Sequence, residues 1–82
     1  MTRNTSIENL IAIIKNALKP YECPAKVDQN RINFGALDDN GESIFTTSPL
    51  LKEMQASSTL RNRLIRIREA MKREGYILDH WE

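Results

Sequence analysis

With 82 residues the chain makes one small domain at most, able to hide about 60% or slightly more of the surface its unfolded state exposes. Hydrophobic content of 40% beside 28% charged residues excludes wholesale disorder, and no apolar run approaches the roughly 18 residues that cross a bilayer. A net charge of +1 says little by itself, and a single cysteine, Cys23, rules out an internal disulfide and suits a reducing compartment.

The opening MTRNTSIENL carries one basic residue, and Glu8 and Lys15 interrupt the apolar stretch that follows. No small-residue cleavage site comes after it, so the segment reads as a helix start rather than a signal peptide, and a cytoplasmic location is expected. The Asn4-Thr5-Ser6 glycosylation acceptor pattern carries no weight without a secretion signal. Thr5 and Glu8 have capping-box spacing, and Ile7, Leu10, Ile11, Ile14 and Leu18 fall on one helical face. Pro20 ends this helix because it lacks an N–H and pushes residue 19 out of the helical region. Ile13 lies off the main stripe, which widens the face that is to lie on a sheet.

Residues 22–28 (ECPAKVD) read as an edge strand, since Pro24 forbids a central position. Ile32, Phe34 and Ala36 then alternate with Asn33 and Gly35 as in a half-buried strand. Asp38, Asp39, Asn40 and Gly41 form a hairpin turn, and ESIFTT returns as the next strand. Ser48 as N-cap and Pro49 at the first helical position predict a short helix through Leu50, Leu51 and Met54. Ser57-Ser58-Thr59 interrupts it and is expected to cap a long helix that Gly75 closes, with Tyr76 and Ile77 packing back onto its last turn. The tail YILDHWE is either a short strand or a loose end over residues 79–82. The fold class is therefore α+β: an N-terminal helix, a small antiparallel meander of two or three strands, and two C-terminal helices packed on one face of the sheet.

Charge is polarised along this order. Residues 1–60 net −1, residues 61–74 net +4 and residues 75–82 net −2. The positive block is one helical segment, with Arg61, Arg63, Arg66, Arg68, Lys72 and Arg73 around an apolar stripe of Leu60, Leu64, Ile67 and Met71. Such cations either contact an anionic partner or form a solvated face whose stems shield the core. Glu69 is spaced to pair weakly with Arg66 and Arg73. The stripe follows a–d spacing for two heptads, which would also seat a second copy of the chain as a homodimer. Arg61, Arg68 and Lys72 share one flank of the stripe, and Ile65 lies near them, away from the core.

Catalytic chemistry is poorly supplied. His80 is the only histidine and sits beside Asp79, an adjacency that does not orient an imidazole as a catalytic base needs. Cys23 has no second cysteine for a redox or thiolate metal site, and reads as a lone buried thiol. The acidic turn at 38–42 lacks the ligand alternation of a calcium loop. Three glycines, at 35, 41 and 75, make no phosphate loop. No catalytic, cofactor-binding or metal-ligating residues are assigned, and no enzyme activity is expected. Exposed aromatics are too few for base stacking, and Trp81 either anchors the tail or is offered to a partner.

The element order alone is similar to that of KH and BolA-like domains. A KH domain requires a GXXG loop between helices, and a BolA-like domain a characteristic histidine on its basic helix. This chain has neither, and no family residues are carried over. The expectation is a non-enzymatic protein-interaction or regulatory module whose partner, or second copy, is met by Arg61, Ile65, Arg68 and Lys72. The alternative is a nucleic-acid-binding protein that contacts phosphates through Arg61, Arg66, Arg68, Lys72 and Arg73.

Overall fold

A computed structural model describes residues 6–81. In chain order they form α1 (Ile7–Ala17), β1 (Ala25–Asp28), β2 (Arg31–Leu37), β3 (Ser43–Thr47), α2 (Leu51–Met54) and α3 (Ser57–Arg73). The strands make an antiparallel sheet in the order β1-β2-β3. The α+β arrangement read from the sequence is the one observed, with three strands in the meander.

The apolar periodicity places the core. Leu10, Ile14 and Ala17 of α1, with Leu18 just beyond it, are fully buried, and Ile32, Phe34 and Ala36 present the inner face of β2. Leu60, Leu64 and Met71 of α3 join Met54 and Cys23 in the same cluster. Burial of each large aliphatic side chain contributes about 1.5–3 kcal/mol relative to exposure. Three of the four α3 stripe residues, Leu60, Leu64 and Met71, are buried in this core, so the a–d spacing serves intramolecular packing. Ile7, the first position of the α1 stripe, remains 42% exposed.

Gly35 is required by close approach. A Cβ there would lie 2.2 Å from the Phe45 carbonyl oxygen, so only glycine lets β2 and β3 run together at that point. The β2–β3 turn follows the Asx chemistry of Asp38. Its Oδ1 accepts from the N–H groups of Asn40 and Glu42, each at 2.9 Å, and Gly41 takes φ +79°. The β1–β2 connection is tighter than its sequence advertises: Asp28 pairs with Arg31, and Gln29 between them sits at φ +57°.

Helix starts are where local signals mislead. The α1 cap is Ser6, whose Oγ accepts from Asn9 N–H at 3.2 Å; Asn4 and Thr5 lie outside the described residues. Ser48 does not cap α2. Backbone pairing with β2 persists beyond β3, with Ile32 N–H donating to Pro49 O at 3.0 Å and Leu51 N–H to Asn30 O at 2.8 Å. That pairing delays the helix to Leu51, and the Ser48 hydroxyl donates instead to Asn33 Oδ1 at 2.5 Å. The N-cap position of α3 falls on Ala56, which offers no side-chain acceptor, rather than within the Ser57-Ser58-Thr59 run.

The end of α3 follows its glycine. Gly75 takes φ +97°, its N–H donates to Lys72 O, and Tyr76 N–H donates to Met71 O, each at 3.0 Å. This paired closure satisfies two terminal carbonyls. Tyr76 is half-buried against the core, edge-on to Tyr21 at 5.5 Å, whereas Ile77, expected to pack onto the last turn of α3, is 82% exposed.

Candidate functional site

The surface that matters is α3, because the fold divides its six cations between structure and solvent. Arg68 is the structural one. Only 9% exposed, it donates through Nη1 to Ala17 O, at the end of α1, and through Nη2 to Asp79 O at 2.7 Å. A cation beside the free carbonyls of a helix C-terminus meets the negative end of its dipole. The neighbouring carbonyls are used as well: Leu18 O accepts from Tyr21 N–H at 3.0 Å and Lys19 O from Asp79 N–H at 2.9 Å.

Around this clamp the described part of the tail, residues 76–81, forms no strand and is tied to the body of the fold. Asp79 is fixed from both sides, Ile77 N–H donates to the Tyr21 hydroxyl at 3.2 Å, and Trp81 lies half-buried against the core cluster. The guanidinium groups of Arg61 and Arg68 each stand 5.6 Å from the Trp81 ring centroid, within reach for cation–π attraction. Trp81 is thus the anchor of the tail, an outcome its sequence position left undecided.

The proposed contact flank is changed accordingly. Arg61 and Lys72 remain exposed and Ile65 is half-buried beside them. Arg68, grouped with them by helical spacing, is turned inward and is not available to a partner, protein or nucleic acid. The remaining cations follow their own geometry. Arg63 is 3.7 Å from Glu53. Arg66 and Arg73 are exposed, and among the described residues neither approaches Glu69 closely enough to pair.

At 100° per residue, Arg61 and Lys72 lie about 120° around the helix from Arg66 and Arg73, with Glu69 between the two pairs. The second flank entered the sequence reading only through the nucleic-acid alternative, which named Arg66 and Arg73. Between α3 and β3 runs a groove of roughly 380 Å³ lined by Ile44, Phe45, Ile67, Ala70, Met71, Glu74 and Tyr76, and neither Arg66 nor Arg73 lines it. One turn towards the α3 N-terminus is a polar basin of roughly 250 Å³ formed by Thr59, Asn62, Arg63 and Arg66. Nothing local in the sequence signals the groove, because it depends on where α3 lies relative to β3.

Elsewhere the chemistry is sparse. Cys23 is buried, and loss of hydration pushes its thiol up to about 11 from the ordinary 9.0, so it is held as the unreactive neutral form. Among the described residues no three His, Cys, Asp or Glu side chains gather as a metal site, and no helix is long and apolar enough to cross a membrane. The helix-free face of the sheet has a shallow hollow of roughly 300 Å³ at Gly35, bordered by Lys26, Asn33 and Thr46. No protein-family model, curated protein or solved structure matches this chain.

Proposed function

We propose that the chain is a non-enzymatic protein-interaction or regulatory module that meets an acidic partner through α3, with Arg61, Ile65 and Lys72 among its contacts. One observation carries this reading. Lys72, Arg66 and Arg73 are exposed and, among the described residues, have no ion-pair partner, whereas the fold itself employs Arg68 and Arg63. Cations left open on a folded surface attract a complementary partner and speed its encounter. The lone buried thiol fits a cytoplasmic setting for that encounter.

The competing reading is a nucleic-acid binder using Arg61, Arg66, Lys72 and Arg73. Separation of these residues into two flanks with Glu69 between them weighs against it, since phosphate recognition favours one coherent basic face. Two measurements divide the readings. Gel-shift titration with duplex and single-stranded DNA and RNA at about 50 mM salt is expected to give no complex. Affinity capture from nuclease-treated extract of the source cells is expected to retain a protein that the Arg61→Glu/Lys72→Glu variant loses. A nucleic-acid complex that weakens steeply with salt, and is lost in that same variant, overturns the protein-partner reading.

A further inference from the structure

We infer that two copies of this chain associate about a two-fold axis passing between their β3 edges, with Arg66 on α3 of each copy meeting Glu74 of the other. The interface centres on Ala70, which lies nearly opposite Arg61 and Lys72 around the helix. It therefore leaves the acidic-partner surface open and stands independently of it.

The flank around Ala70 is complementary to itself. Arg66, Ala70 and Glu74 follow one another at four-residue steps, a single row about 12 Å long. Arg66 belongs to the polar basin and Glu74 to the apolar groove. Both are exposed, and neither has an ion-pair partner among the described residues. Ala70 stands midway between them. A two-fold axis across Ala70 runs two such rows antiparallel and sets Arg66 of each against Glu74 of the other, so one contact forms twice. The small side chain at the crossing lets the helices approach to about 8–10 Å between axes. Glu74 has a further need of a cation, because it caps the C-terminal end of α3, where the helix dipole disfavours a carboxylate.

The sheet edge falls at the same level. Ala70 and Phe45 form opposite walls of the groove, and Phe45 is the central residue of β3. The chain beyond Thr47 leads to α2, whose Glu53 meets Arg63 near the start of α3, whereas Ile44 lies with Glu74 towards its end. Strand and helix thus run in opposite directions, and one axis serves both pairings. Of the two outer strands, β1 has four residues, follows Pro24 and carries Lys26 and Asp28, devices that discourage strand addition. β3, SIFTT, has no charge and no proline. Its Phe34–Thr47 and Ala36–Phe45 pairs continue the ladder that begins with Ile32 N–H on Pro49 O. Alternation along that ladder leaves the N–H and C=O of Thr46 facing away from β2, where a second β3 can bond them. Ile44, the extra residue of the bulge opposite Ala36 and Leu37, turns with Phe45 into the groove. Both are half-buried, as is Ile67, so apolar surface remains for a second copy to cover.

Another occupant of this flank would have to bring a cation to Glu74 and a carboxylate to Arg66 at the same spacing. The chain itself already carries that pair in the required order. Association joins two three-stranded sheets into one and adds burial to a domain too small to hide much of its surface alone.

The test is sedimentation of the full chain from about 1 μM to about 1 mM, with amide exchange followed over the same range. Expected are a rise from the chain mass to twice that mass and slowed exchange at Thr46 as the dimer fills. Arg66→Glu and Glu74→Arg each oppose like charges at both contacts and should weaken the dimer at least about tenfold. The double variant Arg66→Glu/Glu74→Arg exchanges the two charges and should return to within about threefold of the native affinity. Ala70→Trp, at an exposed position, should give a monomer; circular dichroism checks that every variant folds.

A native chain that stays monomeric at the highest concentration overturns the inference. So does a dimer unaffected by the single charge reversals, a double variant that does not recover, or a dimer without protection of Thr46. A dimer lost in Arg61→Glu/Lys72→Glu places the self-contact on the other flank and overturns it too. A dimer that this variant retains, in a chain that captures no acidic partner, removes the earlier reading and leaves this one in place.

Discussion

Replacing Arg68 tests whether one buried cation holds three parts of the chain together. Its guanidinium joins α3 to Ala17 at the end of α1 and to Asp79 in the tail, and it lies 5.6 Å from the Trp81 ring centroid. Hydrogen bonds from a charged donor are worth about 1.5–3 kcal/mol each, and truncation leaves two carbonyls to find other partners. Loss of the cation–π contact adds about 0.5–1 kcal/mol at a partly exposed ring. Water that enters the vacated site recovers part of this, so Arg68→Ala is expected to cost about 2–4 kcal/mol, a large share of the roughly 4–12 kcal/mol total for a chain of this size. Arg68→Lys keeps the charge but cannot fork between two carbonyls, and should fall between the two. Urea denaturation followed by Trp81 fluorescence and far-ultraviolet circular dichroism reads both the magnitude and the local effect. A double-mutant cycle with Trp81→Leu should give a coupling of about 0.5–1 kcal/mol. If Arg68→Ala costs under about 0.5 kcal/mol, as at an ordinary surface position, the clamp account is wrong.

Gly35→Ala drives a methyl into the Phe45 carbonyl and should destabilise by more than about 3 kcal/mol, read by the same urea titration; an unaltered midpoint refutes the close approach. Gln29→Gly relieves a left-handed conformation and should gain about 0.5–1 kcal/mol after the entropy of glycine is allowed for, raising the melting temperature; a lower one refutes it. Cys23 is held neutral up to about 11 in the folded chain and ionises near 9.0 when unfolded, so the folded state binds more protons between those values and stability falls as pH rises through that window. The loss attributable to this group is about 2–3 kcal/mol, seen as a narrowing gap between the native chain and Cys23→Ala from pH 8 to pH 11; a gap that stays constant refutes it.

The elements were legible wherever a residue's role depends on its near neighbours in the chain. The 3.6-residue periodicity of α1 and α3 named Leu10, Ile14, Leu60, Leu64 and Met71 as core, alternation named Ile32, Phe34 and Ala36, and Gly75 marked the end of α3. Helix starts were less legible. Ser48 and Pro49 look like a cap, but strand pairing across to residues 30–32 outweighs a single capping bond and holds that stretch extended. The candidate site was legible only as a concentration of charge. A helical wheel groups Arg68 with Arg61 and Lys72, since angle about the axis is all that spacing encodes. It cannot say that the carbonyls at the end of α1 and in the tail come within reach of one guanidinium.

The sequence by itself determined a small α+β domain in the order helix, antiparallel meander of two or three strands, two helices, with a basic amphipathic C-terminal helix, because those properties follow from local conformational preference and apolar spacing. Only the tertiary structure decided which cations stay open, where Trp81 goes, and that a groove runs between α3 and β3. Each of these is a relation between groups distant in the chain, set by packing and by the need of buried polar atoms for partners, and no local pattern records it.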